Sequence, residues 1–110
     1  MSAAAGEGAA YFAVWATDRP GTGAERLRVR DEHRARLRAG APGLRVHLGG
    51  PTEDEQGEMN GSLLVIDFTD RAAALAWLAA EPFTRAGVYG RSEVRAFRNL
   101  WPQKAGFAET

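Results

Sequence analysis

Hydrophobic and polar positions along the chain alternate between two rhythms. Tyr11 to Ala16 is a short apolar run rich in aromatics, closed by Asp18-Arg19-Pro20-Gly21, and it reads as a strand buried on both faces and therefore central in a sheet. From Ala24 to Ala39 the residues are good helix formers free of Pro and Gly, and Gly40, Pro42 and Gly43 end the run. Leu44, Val46 and Leu48 then alternate with Arg45 and His47, a period of two that predicts a second strand ended by a turn at Gly49-Gly50-Pro51. Thr52 to Gly57 is acidic and turn-like, and Ser62 to Phe68 is the strongest strand pattern in the chain.

Thr69 or Asp70 offers a side-chain oxygen to cap a second helix through Ala72–Ala80, which Pro82 stops. Glu81, placed just before Pro82, is pushed out of helical geometry, so its carboxylate sits at a sharp exit from the helix. Ser92 to Arg98 forms a last strand. The domain is expected over residues 10–99, with a disordered segment at 1–9 and a tail at 100–110.

The order strand, helix, strand, strand, helix, strand is that of the ferredoxin-like βαββαβ unit, an α+β fold with both helices on one face of a four-stranded antiparallel sheet. The other face stays bare in a chain of 110 residues, which has no spare element to cover it. A second copy covers both bare faces at once, so a homodimer is expected.

Composition narrows the function. Fourteen basic residues balance fourteen acidic ones, which leaves no net field to gather nucleic acid or an anionic membrane surface. Cysteine is absent, which removes disulfides, thiolate metal sites and thiol nucleophiles. The opening residues lack a signal-peptide pattern and no window has the apolar length of a membrane span, so a cytoplasmic location is expected. What remains is His, carboxylate and hydroxyl chemistry.

Val29, His33 and Leu37 lie at i, i+4 and i+8 on the first helix and share one stripe, whereas Arg28, Arg34 and Arg38 point elsewhere. An inward imidazole has two readings: a core histidine bonded to a backbone carbonyl, or a proton shuttle at a pocket. Its natural partner is a carboxylate that fixes the tautomer, and Glu81 is a candidate beside the alternative of a surface carboxylate at a helix end. Ser62, at the start of the third strand, is placed to donate to a ligand, but no Gly-x-Ser-x-Gly elbow surrounds it. His47, on the opposite strand parity, reads as structural or interfacial. Two histidines on different elements make no metal site, and none is expected.

The segments Arg30-Asp31-Glu32-His33-Arg34-Ala35-Arg36-Leu37, Gly49-Gly50-Pro51, Gly61-Ser62 and Glu81-Pro82-Phe83-Thr84-Arg85-Ala86-Gly87-Val88-Tyr89 resemble the YCII-related (YciI-like) proteins, in the right order from Tyr11 to Arg98. The resemblance implies a dimeric α+β barrel and a site built on a His–Asp dyad. Its histidine falls on His33 and its aspartate on Glu81, where this chain carries the longer acid. Chemistry known in the family includes dehydrochlorination of a chlorinated hydroxyhydroquinone.

Two functions follow. One is a cofactor-independent lyase or isomerase acting on a small cyclic or aromatic molecule, with His33, Glu81 and Ser62 catalytic and Gly49, Gly50, Pro51 and Phe83 binding substrate. The other is a non-catalytic dimer that uses the same pocket to hold a small ligand.

Overall fold

A computed structural model describes residues 10–40 and 44–101. Strands β1 (Ala10–Asp18), β2 (Val46–Glu53), β3 (Met59–Phe68) and β4 (Tyr89–Phe97) form one antiparallel sheet in the order β2-β3-β1-β4. Helix α1 (Gly23–Ala39) connects β1 to β2, while α2 (Arg71–Ala79) and a single turn, α3 (Pro82–Arg85), connect β3 to β4. This is the ferredoxin-like α+β arrangement with one short helix added. The expected segment 1–9, Pro42, Gly43 and the tail beyond Trp101 lie outside the described residues.

Alternation along the strands builds one face of the core. Phe12, Val14 and Ala16 of β1, Leu64, Ile66 and Phe68 of β3 and Val94 of β4 are buried together with Val29 of α1, Ala74 and Leu78 of α2, and Phe83 of α3. The opposite face is open. Trp15 is 58% exposed and Phe97 45% exposed there, so β1 is central, as expected, but buried on one face only.

Local chemistry fixes the helix ends. Asp70 accepts a hydrogen bond from the Ala73 amide at 2.8 Å and caps α2. Gly40 ends α1 with a φ of 61°, a left-handed conformation that costs glycine nothing. Pro82 holds Glu81 in extended geometry (φ −64°, ψ 133°) and then opens α3 at its first position, where the missing N–H is no loss.

Three expectations about the strands are corrected. Gly49-Gly50-Pro51 is not a turn: it runs inside β2, paired with Leu64, Leu63 and Ser62 of β3. The chain reverses instead around Gly57 (φ 82°), where Asp54 accepts from the amides of Gln56 and Glu58, each at 2.9 Å. The register of β2 also shifts between Val46 and Leu48, so Leu48 pairs with Val65 and joins the open face. β4 begins at Tyr89, ahead of Ser92, because Asp18 at the end of β1 still offers it a partner.

Candidate functional site

One stripe of α1 carries two of the polar residues that the fold buries, Arg26 and His33. Arg26, Val29 and His33, spaced i, i+3 and i+7, are the buried residues of that helix. Arg26 and His33 lie two helical turns apart, and Phe83 of α3 packs against both. Its ring is stacked on the imidazole with centroids 4.4 Å apart, and the Arg26 guanidinium carbon is 4.5 Å from the ring centroid. Two polar clusters meet at this ring.

In the first cluster, Nδ1 of His33 hydrogen-bonds Oε1 of Glu81. The other carboxylate oxygen accepts from Nη1 of Arg36 at 2.9 Å, and Nη2 of Arg36 donates to the Trp77 carbonyl at 3.0 Å. The Arg36 guanidinium also lies 4.4 Å from the centroid of the Trp77 ring. A carboxylate only accepts, so the proton between His33 and Glu81 belongs to Nδ1. In neutral His33 the lone pair therefore stands on Nε2, which no hydrogen bond among the described residues engages. Glu81 is wholly buried, whereas the His33 side chain keeps 10% of its surface exposed. Within the pair, the imidazole alone keeps some exposed surface.

The second cluster surrounds Arg26. Its guanidinium grips Asp18 with two bonds, Nε to Oδ2 at 2.7 Å and Nη2 to Oδ1 at 3.0 Å. Nη2 also donates to the Gly61 carbonyl at 2.8 Å and to Ser62 Oγ at 3.0 Å. Tyr89 donates its hydroxyl to the same Ser62 oxygen at 2.8 Å and meets Phe83 edge-on at 5.5 Å. Burial pushes the Tyr89 phenol up to about 12, with the negative charges of Glu81 and Asp18 adding to the effect and Ser62 and Arg26 opposing it. Gly61 is required by this packing, since a Cβ there would stand 2.2 Å from the Ala16 carbonyl oxygen.

The structure thus brings His33, Glu81 and Phe83 into contact. Ser62 sits in the second cluster, bonded to Arg26 and Tyr89 and not to His33 or Glu81. Pro51 lies opposite Ser62 in the β2–β3 ladder, and a Cβ on Gly49 would stand 2.8 Å from Leu64 Cδ2, so these β2 residues adjoin the Ser62 end of the sheet. Arg26, Arg36, Asp18 and Tyr89 were not among the expected residues. Arg26 had a signal, because it extends the Val29–His33–Leu37 stripe by one turn. Arg36, three residues past His33, had the weaker signal of helical adjacency.

On the open face, His47 Nε2 lies 2.6 Å from Asp67 Oδ1, and Arg45 Nε lies 3.6 Å from the other oxygen. The Tyr11 ring meets His47 edge-on at 5.0 Å. Among the described residues, no cluster of three or more His, Asp or Glu side chains suits a metal ion, and no helix is long and apolar enough to cross a membrane.

Residues 10–98 match the model of the YCII-related domain. An uncharacterised protein of Haemophilus influenzae is 33% identical over 97 residues, covering 83% of this chain and 99% of that protein. Protein YciI of Escherichia coli is 29% identical over 96 residues, covering 82% of this chain and 98% of its own. Among solved structures, 5-chloro-2-hydroxyhydroquinone dehydrochlorinase from Burkholderia phenoliruptrix, in complex with 2,5-dihydroxybenzoquinone, superposes with a TM-score of 0.67 at 25% identity, covering 80% of this chain and 93% of that one.

Proposed function

The chain belongs to the YCII-related domain family, and on that footing we propose that it is a lyase or isomerase that moves protons on a small cyclic or aromatic hydroxylated molecule, with His33 as acid and base. The observation that carries this reading is the arrangement of Arg36 and His33 on the two oxygens of the buried Glu81, which leaves Nε2 as the ring nitrogen that no hydrogen bond among the described residues engages. Glu81 holds the tautomer and stabilises the imidazolium that forms when Nε2 takes a proton.

The dehydrochlorinase with the similar fold suggests the substrate class. Loss of HCl from a chlorinated hydroquinone requires protons taken from two ring hydroxyls, one proton delivered to the carbon bearing chlorine, and departure of chloride, so that the second hydroxyl proton and the chloride leave as HCl. Atoms and charge balance without an external oxidant, because the quinone formed carries the oxidation that loss of chloride supplies. One imidazole that alternates between base and acid carries the first hydroxyl proton to carbon and, bare again, takes the second as chloride leaves. Phe83 gives the imidazole a flat apolar support. Ser62, with both Arg26 and Tyr89 donating to its oxygen, retains its own proton for a substrate oxygen, beside the Gly49–Pro51 stretch of β2.

A second copy of the chain completes the proposal by covering the open sheet face around Trp15 and Phe97. Sedimentation of the native protein and of Trp15→Glu tests it: a dimer that becomes monomeric supports the cover, and a native monomer removes it.

The reaction is tested with chlorinated hydroquinones, following chloride release in the native protein and in His33→Ala. A positioned acid–base group contributes about 10²- to 10⁴-fold, so the variant loses at least that order of turnover while remaining folded. Undiminished turnover in His33→Ala overturns the assignment. Tight binding of 2,5-dihydroxybenzoquinone with no chloride release from any substrate tested would make the His33 site a binding site and not a catalytic one.

A further inference from the structure

The acid of the His33 pair is shared, and the sharing has an electrostatic consequence. Glu81 is fully buried and meets two cationic or potentially cationic groups, one at each oxygen: His33 through Nδ1 and Arg36 through Nη1 at 2.9 Å. A buried carboxylate requires a compensating positive charge, since desolvating an unpaired charge is far more costly than desolvating a pair. Two partners are available to supply it. Arginine is always protonated, whereas histidine acquires a charge only by taking a second proton. Arg36 therefore neutralises Glu81 without drawing a proton onto the imidazole.

We propose that Arg36 is a positioning residue that keeps His33 a neutral base, its proton on Nδ1 and its lone pair on Nε2, by supplying the charge that Glu81 would otherwise recruit from the imidazole. This rests on the reading of His33 as the proton-transfer group. The guanidinium is held for the task from two further directions. Its Nη2 donates to the Trp77 carbonyl at 3.0 Å, and its plane packs at 4.4 Å from the Trp77 ring centroid, so it cannot swing into solvent without losing both contacts. Arg36 also stands in the last turn of α1, where the helix dipole favours a cation.

Arg36 matters more with glutamate at position 81 than with a shorter acid. A longer carboxylate has more freedom to rotate, and an oxygen left without a partner would search for one at the ring. Bonding the second oxygen to Arg36 leaves the first aimed at Nδ1. The Phe83 ring that supports His33 also meets Arg26, which is paired to Asp18, and Tyr89, whose phenol burial pushes up to about 12, while Arg30 lies three residues before His33 on the same helix. Arg26 is already spent on Asp18, so of the two arginines bonded to buried acids here, Arg36 is the one that sets the charge on the Glu81 side.

The test is the nitrogen NMR titration of the imidazole in the native protein, Arg36→Gln and Arg36→Lys, with His33 assigned by its loss in His33→Gln. In Arg36→Gln the His33 midpoint rises by about 1 to 2 pH units, the size of shift a neighbouring opposite charge produces once its competitor is gone. The acidic limb of the turnover profile, set by the protonation that disables the base, moves up with it. Arg36→Lys, which restores the charge on a single donor, returns the midpoint most of the way. An unmoved midpoint in Arg36→Gln overturns the proposal, as does an equal rise in both variants, which would show shape and not charge at work.

Should Arg36→Gln fail to fold, the native protein still decides. One protonated and one bare ring nitrogen near neutrality support the proposal, and a doubly protonated ring there overturns it. The titration needs no substrate, so it stands apart from the outcome of the His33→Ala turnover experiment.

Discussion

Phe83 lies wholly buried against both His33 and Arg26, its ring 4.4 Å from the imidazole centroid and 4.5 Å from the guanidinium carbon. One side chain on a single helical turn thus supports both polar clusters. Phe83→Ala removes that support and leaves a cavity between charged groups, so unfolding in urea should show a loss of about 3 to 5 kcal/mol. Phe83→Leu, which keeps apolar bulk but no flat ring, should recover most of the stability and less of the turnover. Equal recovery of both would mean that the ring serves packing alone.

Glu81 spans from His33 to Arg36, and the span depends on its length. Glu81→Asp draws the carboxylate back by about 1.5 Å, one carbon–carbon bond, so it can serve one partner well but not both. Turnover should fall about 10²-fold, as for other misplacements of this size, with stability reduced by about 1 to 3 kcal/mol. Steady-state kinetics and urea unfolding of this variant measure the two effects separately. Native activity in Glu81→Asp would show that the longer acid has no particular role here.

The inward face of α1 was legible in the sequence because helical periodicity survives regular structure: Val29 and His33 are buried where their spacing put them. Glu81 was legible for a different reason, since Pro82 dictates the backbone just before it. What escaped the alternation rule lies beside β-bulges. A register shift between Val46 and Leu48 turns Leu48 to the open face, and another between Thr17 and Asp18 pairs Asp18 with Tyr89 and brings the phenol inward, against the parity set by Val94. Arg26 escaped because arginine is ordinarily exposed, and its burial depends on partners distant in sequence, Asp18, Gly61, Ser62 and Phe83. The resemblance to a family, resting on the segment from Glu81 to Tyr89, carried the pairing of His33 with Glu81 further than periodicity alone.

Arg26 and Asp18 form an ion pair whose side chains are 5% and 7% exposed. Arg26→Met strands the carboxylate of Asp18 and also frees the Gly61 carbonyl, so the variant should lose about 3 to 5 kcal/mol of stability. Replacing both partners, Arg26→Met with Asp18→Leu, removes the stranded charge and should cost less than the single change. A double-mutant cycle by urea unfolding checks this, and simple additivity of the two substitutions would place the stability elsewhere in the Ser62–Tyr89 contacts.

Tyr89 makes the fold sensitive to alkali. Burial raises its phenol from 10.0 to about 12, so between those values the unfolded chain releases a proton that the folded chain retains. A group with a raised folded value contributes its full stability below the unfolded one and loses that contribution as pH climbs to the folded one. Stability should therefore be level up to about pH 9 and then decline toward pH 12, by roughly 2 to 3 kcal/mol for a shift of this size. Tyr89→Phe removes this part of the decline while giving up the hydrogen bond to Ser62, so it should be less stable than the native protein near neutrality and closer to it at pH 11. Urea unfolding at the two pH values, with phenolate absorbance to follow ionisation, measures the difference. A native protein whose stability falls no more steeply than that of Tyr89→Phe would mean that the buried hydroxyl does not govern the alkaline limit.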